Sequence, residues 1–449
     1  MMTPRLSILK TTSELPPELL GGPYQSYTYA YPHKTAYRAL TPPVPLGDAW
    51  ASQNRSSLFL YLHIPFCEMR CGFCNLFTMV GAPASLERAY LDALTRQAEQ
   101  VRGALGEASF SRIALGGGTP TYLDVRDLAR LFDLIATFGA TPAELPTSVE
   151  TSPATATPER LSLLTERGIS RLSIGVQSFV ESEVRGVGRA QRTAEVTAAL
   201  DNIRAAGPVG LNIDLIYGLA HQTPESWLYS LAEARRWQPE ELFLYPLYVR
   251  PLTGIGRLGR SWDDERLELY RLGRDYLLSN GYVQTSMRRF QLAALPLESE
   301  PEYTCQLDGM VGLGCGARSY TRELHYSSEY AVGASGVREI LHDFVARPSQ
   351  SFGLATHGLR LSAEEQRRRY LLQSLLHLSG LELDEYRRDF GSDAHADFPE
   401  LLHLISANWA TEQHGTLRLT PAGLEYSDAI GPWLYSAAVR ALSEGYAWR

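Results

Sequence analysis

The segment that decides the fold is a short apolar run followed by a cysteine-rich loop. It reads Tyr61-Leu62-His63-Ile64-Pro65-Phe66-Cys67-Glu68-Met69-Arg70-Cys71-Gly72-Phe73-Cys74. Three of the chain's five cysteines lie in this segment, with the spacing Cys-x3-Cys-x2-Cys. The apolar run 58–62 predicts a strand, and the residues after it predict a loop that gathers three thiolates around one point.

Three thiolates in this spacing favour an iron–sulfur cluster over structural zinc. Structural zinc takes four ligands, and no fourth cysteine or suitably placed histidine follows nearby. A four-iron cluster bound by Cys67, Cys71 and Cys74 keeps one iron open for another ligand. Two alternatives stay open at this point: His63 as a fourth ligand, and three buried cysteines with a purely structural role.

The same motif resembles a known family. Cys-x3-Cys-x2-Cys with an aromatic residue, Phe73, before the last cysteine is the signature of radical S-adenosylmethionine (SAM) enzymes. The string Tyr-x-His-Ile-Pro-Phe-Cys at 61–67 is similar to the branch that contains oxygen-independent coproporphyrinogen III oxidase, the HemN-like branch. The resemblance implies a 4Fe-4S cluster on the three cysteines, SAM on the open iron, and an electron donor such as flavodoxin or ferredoxin.

Composition and charge limit the class of protein. With 449 residues, the chain is long enough for two or three domains. The formal net charge of -8 argues against a general nucleic-acid or anionic-membrane binder. No apolar stretch approaches the length of a membrane span, and the N-terminal residues lack the architecture of a signal peptide. An odd number of cysteines indicates a reducing compartment, so we expect a cytoplasmic monomer.

Strands and helices are expected to alternate over the central part of the chain. Strands are predicted at 58–62, 113–115, 148–150, 171–179, 211–219, 241–249 and 282–287. Helices are predicted at 86–105, 158–167, 192–206, 224–237 and 263–280. This alternation predicts an α/β fold, a partial (β/α)6 TIM-like barrel with functional residues at the carboxyl ends of its strands.

Changes in composition predict four segments. They are an N-terminal extended arm (1–57), a radical SAM partial barrel (58–290), a barrel extension with a glycine-rich loop (291–359) and a C-terminal domain (360–449). The arm is rich in Pro and Tyr and shows no sustained period. The C-terminal domain is expected to be small, mostly α and winged-helix-like.

Two features point to a binding site without reference to the family. Gly116, Gly117, Gly118 and Thr119 follow a predicted strand, where glycines allow a ligand to approach exposed N–H groups. Asp214 lies inside an apolar run, and a charged residue there is costly unless it is paired or functional.

The resemblance implies further cofactor-binding residues. Tyr61 and the glycine turn would face the cofactor. Gln177, Arg189 and Asp214 would contact the SAM on the cluster. Phe73, Glu150, Ile216, Tyr245 and Leu247 would lie near a second SAM molecule.

The reaction we expect is that of the class C radical SAM methylases and cyclopropanases of natural-product biosynthesis. Leu76 stands where the oxidase carries a further cysteine, which argues against heme synthesis. One SAM would give a 5′-deoxyadenosyl radical and the second a methylene radical. The latter would methylate or cyclopropanate an sp2 carbon of a small-molecule natural product, with Tyr245 or Glu150 as the base. The alternatives are coproporphyrinogen decarboxylation, heme handling by a chaperone, and a non-enzymatic cluster protein.

Overall fold

The computed structural model describes residues 16–28, 30–258, 264–295 and 305–448. The first fifteen residues of the predicted arm, and the first position of the helix predicted at 263–280, therefore lie outside the described residues. The chain divides into two compact units. One unit comprises Met1–Tyr31 and Arg367–Ser436, and the other comprises Pro32–Gln366 and Ala437–Arg449. Among the described residues, no helix is both long enough and apolar enough to cross a membrane.

The strands alternate with helices along most of the chain. The strands are β1 Arg38–Pro45, β2 Leu58–Ile64, β3 Phe66–Cys67, β4 Met79–Val80, β5 Phe110–Gly117, β6 Thr147–Thr151, β7 Arg171–Gln177, β8 Gly210–Tyr217, β9 Glu241–Pro246, β10 Tyr282–Gln284, β11 Arg289–Leu292, β12 Met310–Leu313, β13 Arg318–Tyr320, β14 Leu324–Ser327, β15 Leu354–Arg360, β16 Leu381–Glu382, β17 Ala410–Gln413 and β18 Thr416–Leu419.

The helices are α1 Pro17–Leu20, α2 Leu46–Trp50, α3 Ala84–Leu105, α4 Val125–Ala136, α5 Pro158–Glu166, α6 Glu181–Gly186, α7 Thr193–Ala205, α8 Pro224–Arg235, α9 Arg266–Leu278, α10 Ala334–Ala346, α11 Ala363–Leu375, α12 Leu383–Phe390, α13 Ala394–Asp397, α14 Leu401–Ser406, α15 Pro421–Leu424, α16 Ser427–Trp433 and α17 Ala437–Glu444. Short 3-10 turns occur at Lys34–Ala36, Pro120–Tyr122, Gly256–Leu258 and Ser349–Gly353.

The larger unit is built on one sheet. Its strand order is β1-β15-β14-β13-β12-β2-β5-β6-β7-β8-β9-β11-β10. The strands from β12 to β9 in this order pair in parallel. Each of β2, β5, β6, β7, β8 and β9 is followed by at least one helix, which is the predicted α/β partial barrel of six units. The carboxyl ends of these strands meet at one edge, so residues that follow them lie close together.

Hydrophobic periodicity explains the helices that pack on this sheet. The helix predicted at 86–105 is α3, and the apolar residues that recur along it at helical spacing are all buried: Leu86, Tyr90, Leu94, Ala98, Val101 and Leu105. Asp124 precedes helix α4 and caps it, because its carboxylate accepts a hydrogen bond from the Asp127 amide at 2.8 Å. This is the side-chain cap that a helix N-terminus requires for one of its unpaired N–H groups.

The N-terminal arm was predicted without regular structure over 1–57, and this is wrong for its second half. Residues Arg38–Pro45 form β1, which pairs antiparallel with β15 at the edge of the sheet, and α2 follows. Pro42, Pro43 and Pro45 interrupt any sequence period, but an edge strand tolerates residues that cannot donate to a neighbouring strand. Residues 32–57 and 437–449 thus fall in the same compact unit as the barrel, unlike the predicted boundaries.

Other departures concern the ends of the predicted series. The strand predicted at 282–287 is only Tyr282–Gln284, and β11 rather than β10 lies beside β9, in antiparallel pairing. Helices α4 and α6 of the barrel were not predicted. The extension places β12 parallel to β2, so the glycine-rich loop after β12 lies next to the end of β2.

The smaller unit contains a three-stranded sheet in the order β16-β18-β17. Helices α12 to α16 accompany it, in agreement with the predicted mostly α C-terminal domain; its winged-helix-like character stays a prediction. Thr420 caps α15 by accepting a hydrogen bond from the Gly423 amide at 3.2 Å. Strand β18 leads directly into α15.

Candidate active site

The cysteine loop follows β2 and is held on both sides by backbone hydrogen bonds. The Gly72 amide donates to the Val187 carbonyl at 2.7 Å, and the Ile255 amide donates to the Gly72 carbonyl at 2.9 Å. A Cβ atom on Gly72 would lie 2.6 Å from the Val187 carbonyl oxygen, so only glycine fits there. The sequence analysis did not single out Gly72, because its role depends on two distant segments.

The predicted SAM-binding turn lies directly against this loop. The Gly118 amide donates to the Ile64 carbonyl at 2.7 Å, and the Thr119 amide donates to the Phe66 carbonyl at 2.8 Å. A Cβ atom on Gly118 would lie 3.0 Å from the Cys67 sulfur. The missing side chain therefore leaves the backbone of the turn open toward the cysteines.

Each cysteine sulfur of the loop has a polar neighbour. Arg189 Nη1 donates to the Cys71 sulfur at 3.1 Å, Thr119 Oγ1 lies 3.5 Å from the Cys67 sulfur, and Thr78 Oγ1 lies 4.0 Å from the Cys74 sulfur. Hydrogen bonds to cysteine sulfurs help set the reduction potential of a cluster. The predicted role of Arg189 was contact with SAM, and the structure adds a contact with a cluster ligand.

Arg189 is fixed by its other hydrogen bonds. Its Nε donates to the Gln191 side chain at 2.8 Å, and its Nη2 donates to the Gly175 carbonyl at 2.6 Å. The side chain is buried. The guanidinium is thereby oriented toward Cys71 before any cofactor binds. Thr78 and Gln191 were not predicted, since neither belongs to a recognisable motif.

The chemistry of the donor set fits a cluster. All three cysteines are free thiols, and burial raises the pKa of Cys67 to about 12 and raises that of Cys74. Bound metal must therefore displace protons from these thiols. Within the described ranges, no three His, Cys, Asp or Glu side chains are arranged to hold a single metal ion. Cysteines that bind separate irons of one cluster do not need that arrangement, so the residues fit the predicted cluster better than zinc.

His63 is not placed to act as a fourth ligand, because both of its ring nitrogens are engaged. Nε2 lies 3.0 Å from the Phe77 carbonyl oxygen, and Nδ1 lies 3.2 Å from the Tyr61 hydroxyl. A carbonyl only accepts, so Nε2 carries the proton and Nδ1 accepts from Tyr61. Burial lowers the pKa of His63 to about 4, which keeps the ring neutral. His63 instead orients the predicted cofactor residue Tyr61.

Two predicted carboxylates lie at or near the strand ends. Part of the Glu150 side chain is exposed to solvent, but its carboxylate is surrounded by protein atoms. Glu150 Oε2 accepts a hydrogen bond from the Gly117 amide at 3.0 Å. This enclosure, opposed by that hydrogen bond, raises the pKa of Glu150 to about 7. Asp214 accepts from the Asn212 side chain at 2.8 Å, and burial raises its pKa to about 6. Both groups can therefore change protonation state near neutral pH.

Gln177 occupies an unusual backbone conformation at the end of β7. Its φ angle is 70°, in the left-handed region, and the register with β8 shifts between Gly175 and Gln177. Its Nε2 lies 2.7 Å from the position of a Cβ atom on Gly175. Non-glycine residues adopt this conformation rarely, and such strain concentrates at functional sites. Gly175 is thus part of the site, although its sequence context gave no signal.

The residues predicted near a second SAM molecule form an apolar group. Ile216 and Leu247 belong to a buried cluster, and Phe73 and Tyr245 pack against it. The other buried members are Val187, Leu219 and Ile255. The Tyr245 ring stacks on that of Phe243, with centroids 5.8 Å apart. The structure therefore brings Phe73 of the cysteine loop together with the ends of β8 and β9.

Comparisons with known proteins agree with this site. Residues 61–233 match the sequence model of the Radical SAM superfamily. The chain is 29% identical over 426 residues to the oxygen-independent coproporphyrinogen III oxidase of Paracoccus denitrificans, covering 89% of this chain and 90% of the relative. It is 26% identical over 351 residues to the heme chaperone HemW of Bacillus subtilis, covering 76% of this chain and 89% of the relative.

The fold also matches a solved structure, that of the coproporphyrinogen III oxidase HemN from Escherichia coli. The TM-score is 0.76 at 23% identity, and the match covers 91% of this chain and 96% of that one. At this identity the likeness supports the fold alone. It confirms the predicted α/β class, a partial barrel with a C-terminal helical domain.

The fold and the cysteine loop resemble those of radical SAM proteins, and residues 61–233 match the sequence model of that superfamily. Over most of its length the chain is similar to coproporphyrinogen III oxidase and to HemW. A 4Fe-4S cluster and SAM are accordingly its cofactors.

The expected natural-product methylation is corrected by the same comparisons. The relatives bear the names of an oxidase and a heme chaperone, and they match along most of the chain. Leu76 and the Tyr-rich arm were differences in local sequence, which say little about the reaction. Tyr245 or Glu150 was expected to act as the base in methylene transfer. Since that reaction is not supported, neither residue has this role.

Proposed function

We propose that this protein is a radical SAM enzyme that oxidatively decarboxylates propionate side chains of a coproporphyrinogen-type substrate without oxygen. The observation that carries the proposal is the match to a coproporphyrinogen III oxidase over 89% of the chain. A match of this extent includes the segments that precede and follow the barrel in the sequence, as well as the cysteine motif. The small-molecule substrate is therefore a porphyrinogen carrying carboxylates.

In the proposed reaction, different residues of the site would bind the cluster and SAM. When bound, the cluster and SAM would supply a 5′-deoxyadenosyl radical that takes a hydrogen atom from the substrate, and the substrate radical would lose carbon dioxide and give one electron to an external electron acceptor. Cys67, Cys71 and Cys74 would hold the cluster, and Arg189 would polarise the Cys71 sulfur. The bare glycine backbone of the turn 116–119 would let SAM approach closely, and Asp214 and Gln177 would orient it.

The number of SAM molecules belongs to the proposal as well. The apolar group around Phe73 and Tyr245 supports a second SAM beside the first, because it offers a surface for an adenine ring or a methionine chain. Glu150 would then contact that second molecule. Counting bound SAM per protein by equilibrium dialysis on the reconstituted protein tests this part separately.

The central test is an anaerobic assay. Reconstituted protein is reduced and incubated with SAM and coproporphyrinogen III, and products are identified by mass spectrometry. We expect 5′-deoxyadenosine together with a porphyrinogen that has lost carbon dioxide. Deoxyadenosine without decarboxylation would contradict the proposed substrate. Substrate without protein, and protein without reductant, serve as controls.

Heme transfer is the second candidate. The similarity to the heme chaperone HemW, which covers 76% of this chain and 89% of the relative, supports it. Stoichiometric heme binding, without SAM cleavage under reducing conditions, would favour the chaperone over the oxidase.

A further inference from the structure

Lys34 is held next to the cysteine loop. It begins the 3-10 turn Lys34–Ala36, and its ammonium lies 3.5 Å from the centre of the Tyr330 ring. The Tyr330 hydroxyl donates to the Asn75 carbonyl at 2.6 Å, and Asn75 directly follows the last cysteine of the motif. An aromatic ring that is fixed to the loop therefore positions the lysine.

The turn itself is anchored by His33. The Thr35 amide donates to His33 Nδ1 at 3.3 Å, and the Thr35 hydroxyl lies 2.9 Å from the same nitrogen. The position of Lys34 is thus set from both sides, by its own turn and by Tyr330. A lysine on a flexible surface loop would not be held in this way.

A second cation approaches from the glycine-rich extension. Arg318 begins β13, just after a loop whose Gly316 would place a Cβ atom 2.7 Å from His63 Nε2. The charges of Lys34 and Arg318 both lower the pKa of His63 and of His33. Such an effect falls off with distance, so these groups converge on one region beside the cluster ligands.

This region holds positive charge without a matching acidic side chain at Lys34. In the part of the chain that the structure describes, Lys34 forms no ion pair. Burial and the nearby Arg318 lower the pKa of Lys34 well below its ordinary value, and the charge of Cys74 only partly opposes this. Like charges close together are unfavourable, so this arrangement is stabilised when an anion binds between them.

The residue type adds a second argument. The chain contains only two lysines, Lys10 and Lys34, and its other forty basic residues are arginines. A lysine ammonium is a compact point charge with three donors, whereas an arginine is a planar fork. Lys34 therefore supplies, at this one position of the site, a small cation that can sit between an aromatic ring and a single carboxylate.

We propose that Lys34, with His33 and Arg318 beside it, binds a propionate carboxylate of the substrate next to the cluster. This inference rests on the proposed function and deepens it, because it names the residues that anchor the substrate. The carboxylate accepts hydrogen bonds from the ammonium while Tyr330 holds the lysine in place. The anchored side chain is thereby kept near the cysteine loop.

Binding of coproporphyrin III, the stable oxidised tetracarboxylate, tests the proposal. It is titrated by absorbance into the anaerobically reconstituted protein. We expect Lys34→Met to weaken binding by roughly tenfold to a hundredfold, the value of one charge-assisted hydrogen bond. Lys34→Arg should recover part of the loss. The tetramethyl ester, which lacks the charges, should bind wild type and Lys34→Met alike.

Arg167→Met is the matched control. Arg167 also lies over an aromatic ring, that of Phe132, but on the helices outside the barrel. Its loss removes one positive charge without touching the site, so coproporphyrin affinity should not change. Iron content and SAM cleavage without substrate, measured on each variant, show that the fold and the cluster are intact.

Amine-reactive labelling gives a second readout that does not depend on activity. Lys34, Lys10 and the α-amino group are the only amines of the chain, so mass spectrometry resolves each of them. Coproporphyrin should protect Lys34 and leave Lys10 and the α-amino group unchanged.

Three results would overturn the inference. Equal affinity of wild type and Lys34→Met would exclude the anchor, and so would full labelling of Lys34 in the complex. A change confined to the cluster's spectrum or to SAM affinity would make Lys34 a cofactor residue instead. Failure of wild type to bind coproporphyrin at all is different, because it would overturn the proposed function together with the propionate assignment.

Discussion

At the scale of single residues, the site is defined by what each cysteine sulfur contacts. The hydroxyls of Thr119 and Thr78 lie near the outer two cysteines of the motif, and a buried guanidinium contacts the middle one. A charged donor stabilises the reduced cluster more than a neutral donor does. Arg189 should therefore contribute most of the three to the reduction potential.

Replacing Arg189 with Ala should make the cluster harder to reduce. The loss of one charge-assisted hydrogen bond to Cys71 should shift the potential to more negative values, on the order of 50 mV. A redox titration followed by electron paramagnetic resonance measures this shift. Arg185→Ala, which removes an exposed arginine of α6 paired with Glu181, is the control and should not change the potential. An unchanged potential in Arg189→Ala would remove this role.

Glu150 should make SAM binding depend on pH. Its pKa is raised to about 7, so the side chain is protonated below that pH and negatively charged above it. A positively charged sulfonium favours the ionised form, and SAM affinity should rise between pH 6 and 8 by up to roughly tenfold. Binding isotherms at several pH values measure this. Glu150→Gln should flatten the difference, while titration of SAM itself affects both proteins equally; parallel profiles would contradict the prediction.

At the scale of elements, the site depends on two turns that touch through their backbones. The turn after β5 donates two amides to the carbonyls of Ile64 and Phe66 at the end of β2. Side chains cannot replace these contacts, because the two backbones approach too closely. The register between β2 and β5 thus fixes where the cysteine loop begins.

Gly118→Ala should displace the cysteine loop. The added Cβ would lie 2.5 Å from the Phe66 carbonyl oxygen and 3.0 Å from the Cys67 sulfur, and neither can move without shifting the strand end. We expect a reduced iron content after reconstitution, measured by colorimetric iron analysis. Gly103→Ala on α3 is the control, because its Cβ would meet nothing within 4 Å. That change should leave iron content unaltered and stabilise α3 by about 0.5–1 kcal/mol.

At the scale of the whole molecule, the barrel unit draws on both ends of the chain. The Arg38 guanidinium, in the strand at the sheet edge, donates to the Leu442 carbonyl of α17. The Tyr446 hydroxyl donates to the Tyr330 carbonyl at 2.7 Å, and Tyr330 contacts the cysteine loop through Asn75. Residues far from the motif in sequence therefore support it.

The paired change Tyr446→Ala and Trp448→Ala should weaken this support. The rings of Tyr330, Tyr446 and Trp448 contact one another, with centroids 5.4 to 6.5 Å apart. Losing these contacts should cost about 1–3 kcal/mol and lower the melting temperature by a few degrees. Calorimetry measures this. Tyr229→Ala, an exposed tyrosine on α8, is the control; an equal effect there would show that the aromatic contacts at Tyr330 are not special.

Much of the fold followed from patterns that are local in sequence. The apolar runs of β2, β5 and β8 and the stripe on α3 predicted these elements within a few residues. The strand at Arg38–Pro45 could not be predicted, since its prolines hide any period and only β15 makes it a strand. The reaction was also beyond local patterns, because small differences such as Leu76 do not specify a substrate.

The sequence alone determined the α/β partial-barrel class and predicted the three cysteines as cluster ligands. The spacing between cysteines and the hydrophobic periodicity are local properties, and both can be read from the sequence without knowing which residues are in contact. Only the tertiary structure decided that Arg189 contacts Cys71, that both nitrogens of His63 are occupied and that Lys34 lies beside the cysteine loop. These contacts join residues on different strands and turns. Their partners are set by how the parallel sheet brings the strand ends together, which is the physical reason that the sequence could not reveal them.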